Sequence, residues 1–125
     1  MTYDLAVWEG EQPPDDKAGA ATFAELYNTY LGEDSVDVEP TPRIRAYVEA
    51  LLERWIDMTE DEEDISPWSA GPLIDEASGP VIYFAMRHSM ADEVSAQAAA
   101  MAAERGLVCF DPQLDQLRPA AAERR

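Results

Sequence analysis

The residues in this chain that could do chemistry are few and scattered. The one cysteine, Cys109, lies in "GLVCFDPQ" two positions before Asp111, and the one histidine, His88, lies in "RHS". A thiol nucleophile needs a base and an electropositive setting to ionise. Cys109 instead sits between Val108 and Phe110, so it reads as a small buried hydrophobe. His88 falls at a strand-to-helix junction, where catalytic groups are often placed, although a lone loop histidine is more often merely exposed. Asp111, directly before Pro112, suits an Asx-type turn. Asp4 can approach it from a neighbouring strand, and two carboxylates near Tyr3 and Trp8 would serve as an acid/base pair or a cation site. Asp4, Trp8, Tyr83, His88 and Asp111 therefore form one candidate pocket, at the strand ends. One His and one Cys make no zinc site, and no metal or cofactor is expected.

The second candidate is the acidic run "DMTEDEED", with Asp57, Glu60, Asp61, Glu62, Glu63 and Asp64 inside eight positions. As a calcium loop it fails. Asp57, Thr59 and Asp61 fill positions 1, 3 and 5, but Glu62 stands where glycine is required and Trp68 where a bidentate glutamate belongs. Such runs usually form a solvated loop. The alternative is a docking strip for a basic protein, with Trp68 behind it as an apolar anchor beside a steering rim.

The rest of the composition supports the docking reading over an enzyme. Nine Lys and Arg face 26 Asp and Glu, for a formal net charge of −17. Nucleic acid and anionic membranes would be repelled, whereas a basic protein or a multivalent cation would be attracted. There is no G-x-S-x-G, no phosphate-binding glycine loop and no G-x-G-x-x-G. No apolar run reaches the roughly 20 residues of a membrane span, and "MTYDLAVWEG" does not read as a signal peptide. One cysteine excludes an internal disulfide and suits a reducing compartment. With its single Lys and frequent Ala, Arg, Glu and Pro, the chain is expected to be bacterial and cytoplasmic.

Positioning these residues requires a compact domain, and 125 residues with 46% hydrophobic content suffice for one. "YDLAVW" is rich in β-formers and predicts a first strand. Phe23, Leu26, Tyr27, Tyr30 and Leu31 keep helical spacing over 17–31, with Asp15 or Asp16 to cap and Gly32 to close. Thr41 and Pro42 open a second helix whose stripe is Ile44, Tyr47, Val48, Leu51, Leu52 and Trp55. The two helices are expected to pack as a hairpin. A short irregular strand is expected around Trp68 to Ile74, and "VIYFAM", apolar on both faces, predicts an interior strand. Ser89 and Asp92 resemble a capping box for a third helix, stopped by Gly106. "LVCF" then predicts the last strand, ended by Pro112, which has no N–H for a ladder.

This order gives an α+β domain on the ferredoxin-like β-α-β-β-α-β plan, with a four-stranded, mainly antiparallel sheet and its helices on one face. The domain spans 1–119, with a disordered tail over 120–125. Such a sheet leaves its other face open, to be covered by the Trp68 segment, the tail, a ligand or a second copy in a homodimer.

The segments "YDLAVWEG", "SPW", "VIYFAM" and "GLVCFDPQ" together resemble a group of small uncharacterised bacterial proteins, over most of the domain. That resemblance implies a shared scaffold and brings no activity with it. In size and charge the chain is also similar to immunity proteins, which neutralise basic toxin domains. The reading is a non-enzymatic acidic interaction protein, of immunity type. The alternative is a small-molecule-binding or enzymatic domain using the strand-end pocket.

Overall fold

The computed structural model describes residues 2–118. Eight elements organise them: β1 (Thr2–Trp8), α1 (Asp16–Leu26), α2 (Pro42–Arg54), β2 (Ala77–Ser78), β3 (Val81–Arg87), α3 (Ala91–Glu104), β4 (Val108–Asp111) and β5 (Gln116–Arg118). The strands form one antiparallel sheet in the order β2-β3-β1-β4-β5. The described residues are thus α+β, with three α-helices and five strands. β1 pairs with β3 along its whole length, from Thr2 opposite Arg87 to Trp8 opposite Val81. The tail expected to fray over 120–125 lies outside the described residues.

Local chemistry accounts for the helix boundaries. The Asp15 side chain accepts from the Ala18 N–H at 2.8 Å and caps α1. Thr41 Oγ1 accepts from the Ile44 N–H at 3.3 Å, and Pro42 follows in the first turn of α2. α3 starts differently from expectation. Ser89 lies inside a 3-10 turn, His88–Met90, so the Ser89/Asp92 capping pair does not form and Ala91 opens the helix. At its far end Gly106 takes a φ of +70°, a value that favours glycine.

Three further expectations are corrected. The plan called for four strands, and there are five. Pro112 does end β4, but the chain turns over 112–115 and returns as β5, with Asp111 opposite Gln116. The Trp68 to Ile74 segment is not a strand. Trp68 makes a lone bridge to Met86, Leu73–Glu76 form a 3-10 turn, and the edge strand is the short β2.

The largest correction concerns α1. Instead of pairing with α2, it covers the opposite face of the sheet. One face presents Leu5, Val7, Ile82, Phe84, Met86 and Cys109 to α2 and to the alanines of α3, with Trp68 and Leu73 filling the layer. The other presents Ala6, Trp8, Tyr83, Val108 and Phe110 to Phe23, Leu26 and Tyr30 of the α1 arm. The chain crosses between the faces by wrapping the β2 edge. The Val38 N–H donates to Ser78 Oγ at 3.0 Å, the Gly79 N–H to Val38 O at 2.9 Å, and the Thr41 N–H to Gly79 O at 2.9 Å. The sheet face expected to be open for a homodimer is therefore already covered by the protein's own helix. Each large apolar side chain so buried contributes about 1.5–3 kcal/mol.

No helix among the described residues is long and apolar enough to cross a membrane.

Candidate functional site

The strand-end pocket does not assemble. Ala6 lies opposite Phe110 and Val7 opposite Cys109, so Asp111 shares its face with Leu5, while Asp4 points to the other. Each carboxylate is held by a separate tyrosine. Asp4 accepts from the Tyr83 hydroxyl at 2.8 Å. Asp111 is fully buried and accepts from the Tyr3 hydroxyl. Its other partners are Arg118 Nη1 at 3.1 Å, Gln113 Nε2 at 2.7 Å, and the N–H groups of Gln113 and Leu114 at 3.0 and 3.2 Å. His88 is exposed past the end of β3 and makes no hydrogen bond to either acid. Trp8 is buried against Phe23 and Phe110 as part of the core. Asp111 is a structural anchor: it organises the β4–β5 turn and neutralises the buried arginine of β5.

Cys109 is likewise buried, and loss of hydration pushes its thiol up to about 12. Burial first, and then the bond to Asp111, push the Tyr3 hydroxyl up to about 12 as well. In both cases the folded state holds the proton more tightly than the unfolded chain does. Their contribution is therefore complete below pH 9 and is lost as pH rises toward about 12. Thermal unfolding against pH should show a plateau to about pH 9 and a decline above it. In the same range native Cys109 should resist iodoacetamide at neutral pH and react only after denaturation. Rapid alkylation of the folded chain would contradict the burial.

The acidic run is more ordered than a plain solvated loop. Asp57, mostly buried, accepts from the Leu73 N–H at 3.1 Å and from the N–H and hydroxyl of Thr59, both at 3.2 Å. Asp61 accepts from the N–H groups of Ile65 at 3.0 Å and Ser66 at 2.7 Å, and these bonds hold its carboxyl below the ordinary carboxylate value. That contribution to stability is present above the unfolded pKa and is lost as pH falls through the folded one. Asp64, at φ +59°, pairs with Arg87. Only Glu60, Glu62 and Glu63 of the six are exposed with no partner among the described residues. Trp68 is 0% exposed, its ring 5.5 Å from Trp55 and 5.6 Å from Phe84. It is a core residue, which corrects its expected role as a surface anchor.

A different feature joins apolar surface to negative charge. After α1 the residues Tyr27–Leu31 form one widened π turn, a deviation often found at functional sites. Together with the wrap around β2, this turn borders a cleft of about 390 Å³ lined by Tyr27, Tyr30, Asp37, Asp75, Glu76 and Tyr83, among others. Tyr83 stacks on Phe23 at 5.6 Å and meets Tyr27 edge-on at 5.9 Å, which fixes that wall. Gly79, at φ +55°, admits the Tyr30 ring so closely that a Cβ there would lie 2.9 Å from it. Asp37, Asp75 and Glu76 make no ion pair among the described residues. Burial first, and then Asp75, hold the Glu76 carboxyl above its usual value. Sequence reasoning missed this site, since its residues come from two distant segments and the helical spacing over 17–31 gives no sign of a π turn.

Among the described residues no group of three or more His, Cys, Asp or Glu is placed to hold a metal ion. Comparison with family models, with curated proteins and with solved structures finds no match to this chain.

Proposed function

We propose that this is a non-enzymatic, cytoplasmic bacterial protein that binds a basic protein, in the manner of an immunity-type inhibitor. One observation carries the reading: a chain of net charge −17 leaves carboxylates unpaired at its surface, while its few chemically capable groups are separated or buried. Asp4, His88 and Asp111 do not converge, which weighs against the enzymatic alternative. A field of one sign speeds the encounter with an oppositely charged partner and disfavours nucleic acid and anionic membranes.

The exposed part of the acidic run, Glu60, Glu62 and Glu63, supplies steering, with Asp57, Asp61 and Asp64 holding the loop in shape. The test is capture from the native cell on the immobilised protein, followed by kinetics with the purified captured species. The expected species is basic, and Glu60→Gln/Glu62→Gln/Glu63→Gln should slow its association by about tenfold while leaving the fold intact. A captured partner that is itself acidic, or an association rate untouched by the triple change, would remove the reading.

A further inference from the structure

The tyrosine-walled cleft at the β2 edge differs from the acidic loop in the kind of cation it suits. The loop carboxylates Asp57 and Asp61 are consumed by backbone N–H groups. The cleft carboxylates Asp37, Asp75 and Glu76 are not, and Tyr27, Tyr30 and Tyr83 line the walls beside them. Neither Tyr27 nor Tyr30 spends its hydroxyl on a hydrogen bond within the described residues, whereas Tyr83 gives its own to Asp4. Tyr27, part of the lining, is itself 41% exposed, so an aromatic ring stays open to a partner beside these carboxylates.

Each feature narrows the occupant. A small, strongly hydrated metal ion wants several oxygens converging at short distance, and the described acids offer no such group. A neutral apolar group would leave the buried side of Glu76 uncompensated. A planar, weakly hydrated guanidinium can lie on an aromatic face and donate several N–H bonds to carboxylates at once. The volume of about 390 Å³ has room for one long side chain and accompanying water.

We propose that this cleft is the seat for an arginine side chain of the basic partner, clasped between the tyrosine rings and Asp75 and Glu76. The inference rests on the reading above and adds to it the place and the chemistry of the anchor. It also restores an anchor beside the charge, in a surface cleft in place of the buried Trp68.

The experiment titrates the isotopically labelled full chain with N-acetyl-arginine methylamide, using the citrulline analogue as the uncharged control, and follows backbone amide resonances. Saturable shifts confined to Ser35, Asp37 and Asp75 to Ser78 are expected with the arginine probe, and none with citrulline. Asp75→Asn/Glu76→Gln should weaken that binding about tenfold, the factor set by about 1.4 kcal/mol. Tyr30→Leu, which keeps the apolar packing but removes the ring, should weaken it comparably at unchanged charge. Equal shifts with citrulline, shifts centred on Glu60 to Asp64, or indifference to both variants would overturn the proposal. A basic partner whose affinity ignores both variants overturns the seat and leaves the acidic-binder reading standing. Arginine filling the cleft while no basic protein is captured supports the seat and removes that reading.

Discussion

Asp111→Ala is expected to lower the unfolding free energy by about 3–5 kcal/mol, measured by urea denaturation. The size follows from what the carboxylate does. It is 0% exposed, pairs with Arg118 at 3.1 Å, and accepts four further hydrogen bonds from Tyr3, Gln113 and Leu114. The Arg118 side chain is itself only 11% exposed, so removing its partner strands a positive charge in the interior. Two backbone N–H groups of the β4–β5 turn lose their acceptor as well. Asp111→Asn keeps the shape and part of the hydrogen bonding, and should cost about half as much. Arg118→Met in the Asp111→Leu background should recover much of the loss, because an apolar pair leaves no charge uncompensated. A loss below about 1 kcal/mol for the alanine change would mean that the turn is anchored by something else.

Trp68→Ala should cost about as much, roughly 3–5 kcal/mol, through a cavity in place of a surface effect. The indole lies between Trp55 and Phe84, and the Trp68 backbone bridges to Met86 at the inner layer of the sheet. Trp68→Phe should recover about half of the loss, since it refills part of the volume. The comparison separates two accounts of the residue. A surface anchor would lose partner affinity at unchanged stability, whereas a core residue loses stability first. Near-native stability with weakened binding would return Trp68 to the interface.

The parts of this fold that were legible in the sequence are those set by neighbours along the chain. The Thr41–Pro42 start of α2 and its buried stripe from Ile44 to Leu51 follow from spacing and capping alone. So do the two central strands, since "YDLAVW" and "VIYFAM" are short segments rich in β-formers. What escaped depends on contacts between distant residues. The stripe of α1 announces that it needs a partner but not which sheet face supplies it. That choice is made by the wrap of Val38 and Thr41 around Gly79, about forty positions away. β5 escaped because "QLR" carries one apolar residue, and Leu117 matters only through its packing with Phe110 under α1. Of the candidate sites, the acidic run was plain as a charge pattern. Its division into three structural acids and three without a partner among the described residues was not, because that depends on which backbone N–H groups the loop presents and on where Arg87 lies. The cleft was invisible for the same reason as α1: its two tyrosine-bearing segments meet only once the sheet is assembled.

The central claim is that surplus negative charge selects this protein's partner, and the most direct measurement is the association rate of the captured basic protein across a salt series. From about 0.05 to about 0.5 M monovalent salt, screening shortens the reach of the field severalfold, and the rate should fall by at least about tenfold. Dissociation should change far less. An association rate that stays flat across that range would contradict the account.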